Sequence, residues 1–92
     1  MIKKKIVLKH RSGLHIRPAS ILAKNASKFK ADFYIIKDGT KINGKSVMGI
    51  MMLGVTKDSE LELIFDGVDE KELKSKVLSL FESNFGEENE KI

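Results

Sequence analysis

Apolar residues in this chain switch repeatedly between the two-residue spacing of a strand and the spacing of a helix, and glycines mark several of the switches. Ile2, Lys4, Ile6 and Leu8 alternate with Lys3, Lys5 and Val7, which predicts a first strand with one buried face. Ser12-Gly13 breaks it. From His15 onward, Ala19, Leu22, Ala23, Ala26 and Phe29 fall on one helical face, with Lys24, Asn25, Ser27 and Lys28 opposite. Pro18 suits a first helical turn, where its missing N–H costs nothing, so this helix should start close to His15.

Ala31 to Lys37 reads as a second strand, Asp38-Gly39 as a type I′ hairpin turn, and Thr40 to Asn43 as the short return strand. Gly44 ends the hairpin. Ser46 is an N-cap for a short helix from Val47 to about Leu53, stopped by Gly54 in the left-handed conformation. In a fourth strand, Glu60 to Asp66, Leu61, Leu63 and Phe65 point one way and Glu60, Glu62 and Asp66 the other. Asp69 and Glu72, three apart, form a capping-box-like pair for a last helix. Its inner face is expected to carry Leu73, Val77, Leu80, Phe81 and Phe85, with Gly86 as the stop.

The order β-α-β-β-α-β-α predicts an α+β domain, a four-stranded sheet with helices on one face burying the apolar side of every element. Spacing alone does not give the strand order. At 92 residues there is one domain, residues 1–86, followed by a charged tail at 87–92 that is expected to fray. The chain has no cysteine, which excludes disulfides and thiolate zinc sites. The basic start is not followed by the apolar run of a signal peptide, and no stretch approaches the ~20 apolar residues of a membrane span. A cytoplasmic protein without membrane insertion is expected.

Charge is divided unevenly. Residues 1–46 hold twelve Lys and Arg against two Asp, a balance of +10, whereas residues 47–92 hold five against eleven acids, or −6, within a total of +4. The basic half favours encounter with acidic partners or anionic substrates. A nucleic-acid partner is not expected, because there is no arginine-rich run, no interleaved aromatic pattern and a single tyrosine.

Within that basic half, Gly13-Leu14-His15-Ile16-Arg17-Pro18-Ala19-Ser20 sets a histidine at a helix entrance. A neutral imidazole nitrogen is nucleophilic near pH 7, and the N–P bond it forms is labile enough to pass a phosphoryl group on. The backbone N–H groups of Ile16 and Arg17, in the first turn, are donors for that group. The helix dipole contributes roughly 0.3–1 kcal/mol when exposed, and the Arg17 guanidinium a charge-assisted bond of about 1.5–3 kcal/mol. These modest totals suit a site that must also release phosphate. His10, five residues earlier, reads as a loop residue, and a two-histidine metal site would still lack ligands, so no metal is expected.

Gly13 to Ala19 resembles the active-site signature of the HPr family, the histidine-containing phosphocarriers of the bacterial phosphoenolpyruvate-dependent sugar phosphotransferase system. Lys45-Ser46-Val47-Met48-Gly49-Ile50-Met51-Met52-Leu53-Gly54 is similar to the same family's regulatory serine segment. The resemblance implies an open-faced β-sandwich, a four-stranded antiparallel sheet with three helices on one side. It implies that His15 takes a phosphoryl group on Nδ1 from enzyme I, charged by phosphoenolpyruvate, and passes it to enzyme II A domains, with Arg17 stabilising the phosphate. No bound cofactor is implied; Mg²⁺ is a requirement of enzyme I. Ile16 stands where the family usually has alanine, and a β-branched side chain there would crowd the phosphate or a partner.

The resemblance also makes Ser46 a phosphorylation site for an ATP-dependent kinase and its phosphorylase, in addition to its capping role. Phosphate there would add about −1.5 to −2 charge to the basic half, weaken docking to acidic enzyme I and recruit a catabolite-control transcription factor. Val47, Met48 and Met51 are expected to contact partners, since the short helix is apolar nearly all round and thioethers adapt to several surfaces. A monomer is expected. The alternative in another class is a regulatory binding module, nitrogen-type or catabolite-control, that does not feed sugar uptake.

Overall fold

A computed structural model describes residues 1–86; the expected tail at 87–92 lies outside the described residues. The elements are β1 (Ile2–Val7), α1 (Ile16–Ala26), β2 (Asp32–Lys37), β3 (Thr40–Asn43), α2 (Val47–Met52), β4 (Glu60–Asp66) and α3 (Glu70–Glu82), followed by a single 3₁₀ turn, Asn84–Gly86. The four strands form one sheet in the order β1-β4-β2-β3, antiparallel at every pairing. This long-range order is what spacing alone left open.

One face of the sheet is covered. Phe33 and Ile35 of β2 and Leu61, Leu63 and Phe65 of β4 are buried there. Above them lie Ala19, Leu22, Ala23 and Ala26 of α1, Ile50 of α2, and Leu73 and Val77 of α3. Each fully buried Leu or Phe contributes about 1.5–3 kcal/mol, so this layer dominates the stability. Phe33 and Phe65 are direct cross-strand partners, and their rings stack 5.2 Å apart at 4°. Ile64 is buried on the opposite face, where its partners are Lys3 and Tyr34.

The hairpin turn has positive φ at both Asp38 (51°) and Gly39 (81°), as a type I′ turn requires. Gly54 stops α2 at φ 63°.

Two expectations are corrected at α3. Asp69 occupies the N-cap position, yet its side chain makes no cap hydrogen bond. Its carboxylate instead accepts the backbone N–H groups of Lys30 (2.9 Å) and Ala31 (2.7 Å), the residues that lead from α1 into β2. Those amides have no helical or strand partner, and a carboxylate bonds them more strongly than a neutral acceptor would. They hold the Asp69 carboxyl below its usual range, the Lys30 amide having the largest effect. Phe85 is buried, as expected, but not as part of α3. The helix ends at Glu82, and Asn84 (φ 54°) and Phe85 (φ 57°) turn the chain back in the left-handed region. Burial of the Phe85 ring offsets a backbone strain of roughly 1–2 kcal/mol.

Candidate functional site

The loop between β1 and α1 is fastened to the segment that follows α2. Leu8 donates its N–H to Ser59 O (2.9 Å) and accepts from Asp58 N–H (2.8 Å), and Leu14 N–H donates to Val55 O (3.0 Å). Gly13 sits between these ties at φ +75°, where a Cβ would lie 2.5 Å from Val55 O. Only glycine meets both the backbone angle and the close approach.

His15 follows as the N-cap of α1, with extended backbone (φ −80°, ψ −171°) and no side-chain cap hydrogen bond. The imidazole is therefore not consumed in capping, as a Ser or Asp side chain would be. The first helical bond runs from Ala19 N–H to His15 O (3.0 Å), and Pro18, buried in the first turn, has no N–H. The amides of Ile16 and Arg17 lie ahead of that ladder, at the positive end of the helix dipole. No acidic residue occupies the first turn. His15 is half-buried, and Ile16 and Arg17 are exposed, with Ile16 at 64%. The structure thus brings the three residues of the first motif to one helix entrance.

His10 lies in the expected loop, but it is 2% exposed and is the buried polar side chain among the described residues. Its Nδ1 accepts the Ser12 N–H at 3.2 Å, so in the neutral ring the proton is on Nε2. The His10 and His15 rings meet edge-on, with centroids 5.7 Å apart at 63°. The Phe85 ring also packs against His10, at 6.1 Å. Sequence reasoning passed over this residue. The available signal was its place two residues ahead of Ser12-Gly13, where a side-chain acceptor can take a turn amide.

The second motif sits on a separate element that packs against α1. Ser46 is the N-cap of α2, and its Oγ accepts the Gly49 N–H at 3.0 Å. Val47 is half-buried against the core. Met48 is 71% and Met51 38% exposed, and Met52, which the sequence analysis did not single out, is 80% exposed. Exposed apolar side chains on a small domain identify a contact surface when they cluster, and here they lie on two packed helices.

Among the described residues, no three His, Asp or Glu side chains converge where they could hold a metal ion. No helix among them is long and apolar enough to cross a membrane. A groove of about 450 Å³ on the sheet, lined by Lys5, Val7, Ile36, Asp38, Glu60 and Glu62, does not include His15.

Known proteins match this chain over most of its length. The family model described as the PTS HPr component phosphorylation site matches residues 2–83. The phosphocarrier protein HPr of Neisseria meningitidis serogroup A is 38% identical over 87 residues, 95% of this chain and 98% of that protein. The crystal structure of an HPr from Thermoanaerobacter tengcongensis superposes with a TM-score of 0.91 at 43% identity, covering 96% of this chain and 99% of the other. The crystal structure of the Bacillus subtilis catabolite-repression protein Crh, a domain-swapped dimer, gives a TM-score of 0.72 at 36% identity over 90% of this chain and 95% of that one.

Proposed function

The chain belongs to the HPr phosphocarrier family of the phosphotransferase system, and from that premise we propose that His15 is the residue that carries the phosphoryl group. Its Nδ1 lone pair attacks phosphorus on phosphoenolpyruvate-charged enzyme I. As the N–P bond forms, the bond from phosphorus to the donor breaks and its electron pair leaves with the donor. The reverse sequence of bonds delivers the group to an enzyme II A domain. The observation that carries this reading is a half-buried histidine at the N-cap of α1 whose ring does not serve the cap.

The amides of Ile16 and Arg17 and the Arg17 guanidinium stabilise charge that spreads over three phosphoryl oxygens in the transition state. Ile16, Met48 and Met51, with Val47 at their edge, form the apolar part of the docking surface. The surrounding basic charge selects acidic partners. The carrier needs no cofactor of its own, and Mg²⁺ serves enzyme I. It works in the cytoplasm, as a monomer.

Ser46 adds control. A kinase would place phosphate on the Oγ that now accepts the Gly49 N–H, and the added negative charge would weaken docking to enzyme I. The same modified surface is the one for a catabolite-control transcription factor.

A second reading is a regulatory module that takes phosphate without passing it to sugar uptake. Its support is the likeness to Crh, whose structure is described as that of a catabolite-repression protein. Transfer from the phosphorylated chain to a purified enzyme II A domain separates the two. Transfer supports the carrier. Labelling of His15 by enzyme I without onward transfer to any of several A domains favours the regulator.

A further inference from the structure

We propose that His10 is a positioning residue that holds the His15 ring in one orientation for phosphoryl acceptance. The proposal rests on the reading of His15 as the acceptor. His10 is 2% exposed, so it cannot touch a partner protein, and whatever it does for transfer must pass through its neighbours.

Its own placement is well determined. On one side the Ser12 N–H donates to Nδ1 at 3.2 Å, which ties the ring to the turn just ahead of Gly13. On another, Phe85 packs against it at 6.1 Å, and Phe85 is itself braced by Phe81 of α3 at 5.0 Å and 65°. A run of rings, Phe81, Phe85, His10 and His15, thus connects the end of α3 to the nucleophile. The last contact, edge-on at 5.7 Å, narrows the side-chain torsions open to His15. With its Nδ1 lone pair engaged by the Ser12 N–H and its ring buried, His10 is not placed to take phosphate itself. Its contribution is a fixed wall beside the nucleophile. An imidazole already held near its reactive orientation loses less freedom on reaching the transition state, and this affects the catalytic step more than docking.

Two substitutions separate the ring from the hydrogen bond. His10→Asn keeps an acceptor for Ser12 N–H in nearly the same place and removes the ring. His10→Phe keeps a ring and removes the acceptor. Steady-state phosphorylation by enzyme I and phosphoenolpyruvate is measured with each chain as substrate, together with the three-bond NMR couplings about χ1 of His15. In His10→Asn, kcat is expected to fall about three- to tenfold with KM changed less than about twofold, and the couplings move toward rotamer averaging. His10→Phe is expected to keep kcat within about twofold of wild type, with single-rotamer couplings. An unchanged kcat and unchanged couplings in His10→Asn overturn the proposal. So does a loss confined to His10→Phe, which would assign the effect to the Ser12 bond, or a rise in KM alone. Absence of labelling in the wild-type chain would instead sink the carrier reading, and the positioning role with it.

Discussion

Asp69 Oδ1 accepts the N–H of Ala31 at 2.7 Å, joining residues 38 positions apart, while Oδ2 accepts from Lys30. One carboxylate at the start of α3 thereby holds the turn that leaves α1. Asp69→Asn should lower the thermal midpoint, since the amide has one acceptor oxygen where two are used. Backbone amide exchange should speed up at Lys30 and Ala31 first, and equal protection of those amides in the variant would contradict the assignment.

Acid stability follows from the same group. The Asp69 carboxyl is held below its ordinary value by the Lys30 and Ala31 amides. Glu70 is likewise lowered, first by the Gly67 N–H at 3.0 Å and then by the N-terminal ammonium at 3.2 Å. A folded-state pKa below the unfolded one means stability that is present above the unfolded value, near 3.8 for Asp69 and 4.5 for Glu70. It is lost as pH falls through the lower folded values. Urea midpoints measured downward from pH 6 should drop on that limb, and the Asp69→Asn drop should be shallower. A variant limb as steep as wild type would exclude Asp69 as a contributor.

Gly13→Ala should destabilise by about 1–3 kcal/mol, because it combines φ +75° with a Cβ 2.5 Å from Val55 O. The loop carrying His15 must shift to admit the methyl, so phosphoryl acceptance should slow as well. Urea unfolding and initial transfer rates check both effects. A stable variant with normal transfer would mean that the Gly13–Val55 approach does not hold the site.

Ile16→Ala tests what an exposed β-branched residue does beside the nucleophile. At 64% exposure it adds little to the core, so stability should stay within about 0.5 kcal/mol. Loss of apolar contact with a partner should raise KM about three- to tenfold and leave kcat nearly unchanged. A higher kcat would mean that Ile16 crowds the phosphate instead.

Ser46→Ala removes the acceptor for the Gly49 N–H and should cost about 1 kcal/mol. Ser46→Asp keeps a capping oxygen, so its stability should stay near wild type while its added charge weakens docking to enzyme I. If both variants dock as wild type does, Ser46 is a cap and no more.

Much of this architecture was legible in the residues themselves. The alternation of Leu61, Leu63 and Phe65, the Asp38-Gly39 turn, and Ser46 ahead of Val47 are local signals whose physical causes act within a few residues. The strand order is not local, because the antiparallel pairing of β1 with β4 joins Ile2 to Phe65 and depends on the whole core. Asp69 looked like a helix cap because its distant amide partners cannot be seen in a linear pattern. Phe85 continued the apolar spacing of α3, but a left-handed turn, not the helix, brings it to the core. His10 was missed for a similar reason. A histidine in a polar loop is ordinarily solvated, and the Phe85 ring that packs against His10 lies 75 positions further along the chain. Of the candidate site, the helix entrance was readable and the ring packed behind it was not.

The central claim concerns one nitrogen. The wild-type chain and a folded His15→Ala variant are incubated with enzyme I, Mg²⁺ and labelled phosphoenolpyruvate, and the product is exposed to acid and to alkali. The account predicts one acid-labile, alkali-stable phosphate in the wild-type chain and none in the variant. Failure to label with several competent enzymes I, or undiminished labelling of His15→Ala, would contradict it.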